Sequence, residues 1–110
     1  MKYLKHFENY DPENTNDVKL GDSLNKLQIG IRDCPSVKHL FNDVISIEDT
    51  FNVYGTEAKD EIITKLEALK PELEKSYDLD DEQYLTKDDN GLKFAPTTQI
   101  KNTLTLFYNL

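Results

Sequence analysis

The amino-acid sequence predicts a small α+β domain, an antiparallel helical hairpin packed on a small antiparallel sheet. Three patterns predict it. Apolar residues recur at steps of three and four from Val37 to Phe51 and again from Ala58 to Leu73, the spacing that gathers side chains on one helix face. Two short runs, Tyr84-Leu85-Thr86 and Leu92-Lys93-Phe94, flank Asn90-Gly91, a pair that accepts the positive φ angles of a hairpin turn. Polar and apolar residues alternate over 26–32 and over 100–110, the period of a strand with one buried face. An all-α arrangement is the alternative, if segments 22–32 and 98–109 are helical.

The chain's 110 residues match one domain. Its hydrophobic share is low, at 37%, but six tyrosines and five phenylalanines supply large areas to bury. One modest core is expected, over residues 18–110.

Residues 1–10 place Tyr3, Leu4, Phe7 and Tyr10 on one side of a helix. The polar stretch Asp11 to Asp17 reads as a linker or mobile loop. An aromatic-rich start on a soluble tether fits a docking segment, and it equally fits a segment folded back on its own core. Residues 26–32 alternate as a short strand, although Leu24, Leu27 and Ile31 also fit a helical stripe. Asp33 then stands as a cap ahead of Pro35, a residue favoured in a first helical turn. The first long helix is expected over 35–53, with Gly55 stopping it. Thr56 is the candidate cap of the second, over 57–76, where Glu61 and Lys65 support each other one turn apart. Pro71 lacks an N–H and crowds the carbonyl of Glu67, so a kink or restart is expected there. For 100–110, threonines at 98, 103 and 105 tilt the reading toward a strand.

The chain carries 21 acidic against 13 basic residues, a net charge of −8, and Arg32 is its single arginine. Such a surface repels nucleic acid and anionic lipid, and favours basic partners. No apolar run is long enough to span a membrane, and Met1 to Glu8 lacks the apolar stretch of a signal peptide. Cys34 has no second cysteine to pair with. The expected location is the cytoplasm, or a virion assembled there.

Residues able to do chemistry are few and scattered. The acidic run Asp78, Asp80, Asp81, Glu82, Asp88 and Asp89 partly mimics a calcium loop, but Gln83 stands where the sharp turn needs glycine, and Asp89 replaces the closing bidentate Glu. It reads as a solvated acidic patch. His39 and Asp43 lie one turn apart without a third ligand. Cys34 and His39 fall about 140° apart on a helix, too far to form a thiol–imidazole pair. Cys34 reads as a small buried residue. His6, near Glu8 and Asp11, reads as a surface contact. The four glycines stand alone, so no phosphate-binding loop exists. The expectation is no catalytic residue, no cofactor site and no metal site.

What remains is protein–protein contact, homo- or hetero-oligomeric. Its candidate residues are Tyr3, Leu4, Phe7 and Tyr10 at one end, and Leu106, Phe107 and Tyr108 at the other. The opening Met1-Lys2-Tyr3-Leu4-Lys5-His6-Phe7-Glu8-Asn9-Tyr10 resembles the starts of small tailed-bacteriophage proteins, many of them virion components. That resemblance implies a structural role in a head or tail and assigns no site. The alternative is an acidic inhibitor, a nucleic-acid mimic that offers carboxylates to a basic host protein.

Overall fold

Leu20, Leu24, Leu27 and Ile31 stand at steps of four, three and four, and all are buried. That stripe decides the architecture. The computed structural model describes residues 15–78, 86–87 and 93–110. Over these the fold is all-α, in place of the expected α+β domain. It consists of α1 (Thr15–Asp33), α2 (Phe41–Tyr54), α3 (Lys59–Ser76) and α4 (Pro96–Tyr108), with 3-10 turns at Lys38–Leu40 and Gly55–Ala58. The β structure among the described residues is a two-residue antiparallel ladder of β1 (Thr86–Lys87) and β2 (Lys93–Phe94), with Thr86 opposite Phe94 and Lys87 opposite Lys93. Residues 84–85 and the expected Asn90-Gly91 turn lie outside the described residues. Among the described residues, the helical hairpin packs against α1 and α4 in place of the expected sheet.

Both segments expected as strands are helical. Residues 26–32 belong to α1, which runs through Gly21 and Gly30. Glycine inside a helix costs about 1 kcal/mol relative to alanine. Burying one leucine or isoleucine stabilises by about 1.5–3 kcal/mol, so the buried stripe outweighs both glycines. Residues 98–108 lie in α4 and Asn109 caps it, with Pro96 in its first turn and Ile100, Leu104 and Phe107 on its buried face. Its threonines accept the helix by bonding back to the preceding turn. Thr103 Oγ1 donates to the Gln99 carbonyl at 2.8 Å, and Thr105 Oγ1 to the Lys101 carbonyl at 3.0 Å.

The boundaries of the two central helices shift for local reasons. Asp33 ends α1, bound to the Arg32 guanidinium at 2.9 Å, and does not cap the next helix. The chain turns through 34–37, with the Val37 amide donating to the Cys34 carbonyl. Gly55 stops α2 at φ 62°, ψ −146°, a conformation that only glycine adopts without strain. Thr56 lies in the 3-10 turn, and Ala58 precedes α3 without a side-chain cap. Helix α3 continues through Pro71, which is exposed. The Glu67 carbonyl, which loses its helical donor to the proline, belongs to an exposed residue, where solvent can supply one. At the other end of the chain, α1 starts at Thr15, inside the stretch expected as linker, and buries Asp17 in its first turn.

Contacts run α1 to α2, α2 to α3, α3 to α4 and α4 back to α1, closing a ring of helices around one core. Neighbours run in opposite senses. His39 and Ser76 meet where α2 begins and α3 ends, Tyr108 reaches Glu67 while Lys101 reaches Glu74, and Ser23 of α1 meets Gln99 and Thr103 of α4. The result is an up–down–up–down bundle. In the core toward the end where α2 and α4 finish, Phe51 and Phe107 meet edge to face, with ring centroids 5.9 Å apart and planes at 89°.

Candidate functional site

The seam between α1 and α4 holds a polar cluster inside the core. Ser23, Gln99 and Thr103 are all buried. Gln99 Nε2 donates to the Ser23 carbonyl and to Ser23 Oγ, both at 3.0 Å. Thr103 spends its proton on the Gln99 carbonyl, so the Ser23 hydroxyl donates the 2.7 Å bond to Thr103 Oγ1. Each donor is satisfied, and the cluster fixes the register of the two helices. Among the described residues, the Ser23 and Thr103 hydroxyls bond to each other, to Gln99 and to backbone carbonyls.

This seam also locates the two ends of the bundle. Lys19, Asp22 and Leu106 line one hollow of about 240 Å³, so the first turns of α1 lie beside the last turns of α4. Among the described residues, the exposed large apolar side chains are Tyr108 (52%) and Leu110 (41%), both at this end. The Tyr108 hydroxyl donates to Glu67 Oε2 at 2.7 Å. That bond, then desolvation and the Glu67 charge, hold the phenol above its ordinary pKa. Tyr108, Leu104 and Pro71 border a wider hollow of about 460 Å³ between α3 and α4. Its rim is balanced, with Lys70 and Lys101 both on Glu74.

The groove between α2 and α3 has a different character. About 330 Å³ in volume, it has Ile47, Ala68 and Leu69 along its floor, with Asp43, Glu72 and Lys65 around them. Helix α2 carries Asp43, Glu48 and Asp49 and no basic residue, and of these Asp43 lines the groove. Burial, and then the Asp49 charge, raise the Glu48 pKa above its ordinary value. The folded chain therefore holds this proton more tightly than the unfolded chain does. Native stability from this group is present at low pH and is lost as pH rises through the raised value. Glu48→Gln is expected to raise the neutral-pH melting point by the small margin of a surface change, about 0.5 kcal/mol. The gain should vanish near about pH 3, where glutamate is protonated in both states. A thermal melt at the two pH values checks this, and an equal gain at both contradicts it.

Of the residues expected at a partner surface, the helix separates what the sequence grouped. Phe107 is fully buried, Leu106 is half-buried against the core, and Tyr108 is exposed. Phe107 is thus a core residue, unavailable to a partner. Tyr3, Leu4, Phe7, Tyr10 and His6 lie outside the described residues, as do Asp80, Asp81, Glu82, Asp88 and Asp89. Asp78 is exposed, and its backbone amide donates to Ser36 Oγ at 3.2 Å. Cys34 is buried, its Sγ 3.6 Å from Ser36 Oγ. His39 stands 3.5 Å from Ser76 Oγ. Among the described residues, no three His, Cys, Asp or Glu side chains gather to hold a metal ion. No helix among them is long and apolar enough to cross a membrane.

Sequence reasoning missed the Ser23–Gln99–Thr103 cluster. Its signal was present: Gln99 and Thr103 are four apart, beside Ile100, Leu104 and Phe107, and show as core positions once 96–108 is read as a helix. No protein-family model, curated protein or solved structure matches this chain.

Proposed function

We propose that the chain is a non-catalytic structural or assembly protein that acts by contact with other polypeptides, as a component of the head or tail of a tailed-phage virion. The observation that carries this reading is the placement of Tyr108 and Leu110. They are exposed where the bundle's first helix begins, so residues 1–14, with their own rings at Tyr3, Phe7 and Tyr10, join the bundle at that same end. Tyrosine is among the residues that dominate binding energy at protein interfaces, because it offers area at low entropic cost. The phage setting rests on the opening ten residues alone.

Deletion of residues 1–10 tests the reading. Association with the particle should be abolished, with the melting midpoint of the bundle unchanged, since the core from Leu20 to Phe107 is left whole. A deleted chain that still copurifies with the particle in full amount contradicts the proposal.

The net charge of −8 favours a second reading, the acidic inhibitor of a basic host protein. Against it, lysines are interleaved with the acids of α3, where Lys65 pairs with Glu61 and Lys70 and the α4 residue Lys101 pair with Glu74, which breaks up a phosphate-like array on that face. An inhibitor of that kind binds in low salt and weakens steeply as salt rises. Asn at positions 78, 80, 81 and 89 should then remove most of its affinity.

A further inference from the structure

We infer that the groove between α2 and α3 docks a basic amphipathic segment of a partner protein, an inference that rests on the protein-binding reading above and names the chemistry of the partner. Three observations converge on that occupant. The floor is apolar: Ile47 and Leu69 are buried beneath it, and Ala68 is the small exposed residue at its centre. A volume of about 330 Å³ takes one or two apolar side chains and no folded domain. The flanks are acidic. Asp43 and Glu72 face the groove from opposite helices, and both are exposed. Lys65, the cation among the described lining residues, is drawn to Glu61 at 3.8 Å on its own helix. Helix α2 carries three acids and no base, and Asp43 is the one that lines the groove.

An apolar anchor with lysine or arginine on either side complements this arrangement, in the manner of a helix laid into a groove. The hollow between α3 and α4 lacks the complement, because Lys70 and Lys101 already balance its Glu67 and Glu74. The overall charge of −8 steers a cationic segment toward the chain. The local asymmetry decides which groove receives it.

The test uses the full chain and a fluorescein-labelled synthetic helix of leucine and lysine, apolar on one side and cationic on the other, followed by fluorescence anisotropy. Asp43→Asn with Glu72→Gln should weaken binding about tenfold in low salt. Ala68→Gln, which fills the groove without altering charge, should weaken it to a similar extent. Glu67→Gln with Glu74→Gln removes the same charge from the other flank of α3 and should change affinity less than about twofold. Amide shifts on titration should cluster at 43–47 and 65–72. Thermal melts verify that every variant is folded. Equal loss from both charge-neutralised pairs, or full binding by folded Ala68→Gln, overturns the groove, as does a probe that fails to bind the unmodified chain. Particle association that needs residues 1–10 but ignores the groove variants would leave the assembly reading standing and remove this one alone.

Discussion

Replacing Phe107 by alanine is expected to lower the free energy of unfolding by about 3–5 kcal/mol, the range for truncating a fully buried aromatic ring. The total for a domain of this kind is about 5–15 kcal/mol, so the variant sits near the edge of folding. Phe107 is 0% exposed and meets Phe51 edge to face at 5.9 Å. It thereby ties the last turn of α4 to the end of α2, two elements far apart in the chain. Urea unfolding followed by circular dichroism measures the loss. A double-mutant cycle with Phe51→Ala should return a coupling of about 0.5–1.5 kcal/mol. A loss below about 1 kcal/mol would place Phe107 outside the core, where a partner could reach it.

The second large effect concerns the polar seam. Gln99→Ala removes the amide that donates twice to Ser23 and leaves a hole between α1 and α4. It is expected to cost about 1–3 kcal/mol, the scale of a broken buried hydrogen-bond set. Replacing all three members together, as Ser23→Ala, Gln99→Leu and Thr103→Val, should be nearly neutral or stabilising, because no buried polar group is then left without a partner. The comparison separates two roles. If the triple variant is stable but its α1–α4 register is loosened, seen as broadened amide resonances, the cluster serves specificity. A triple variant less stable than Gln99→Ala shows that the hydrogen bonds themselves hold the seam.

The sequence made α2 and α3 legible because their apolar residues keep one period without interruption and Gly55 punctuates them. The antiparallel sense of that pair followed from the short connection. Helix α1 was obscured by Ile29. Placed between Leu27 and Ile31, it completes an alternation that mimics a strand, although Ile29 itself is only half-buried. The decision came from tertiary burial of Leu20, Leu24, Leu27 and Ile31, a stripe too long for a strand of ordinary length. Helix α4 was obscured by its threonines, whose strand preference reflects side-chain packing rather than a fixed backbone rule. Here two of them bond back to the preceding turn and cost the helix little.

Of the candidate surface, the sequence grouped Tyr108, which is exposed, with Phe107, which is buried. Consecutive residues on a helix point about 100° apart, so one faces the core while the next faces water. The α2–α3 groove could not be read from the chain, because its acidic flanks come from residues 43 and 72, which only the pairing of the helices brings together.

The central claim is that this chain works by holding another polypeptide. Native mass spectrometry of the complex isolated from its source tests that most directly. The account predicts a fixed stoichiometry between this chain and at least one other subunit, or further copies of itself, disrupted by loss of residues 1–10. A spectrum showing only the 12.8 kDa monomer, under conditions that preserve other complexes from the same source, contradicts it.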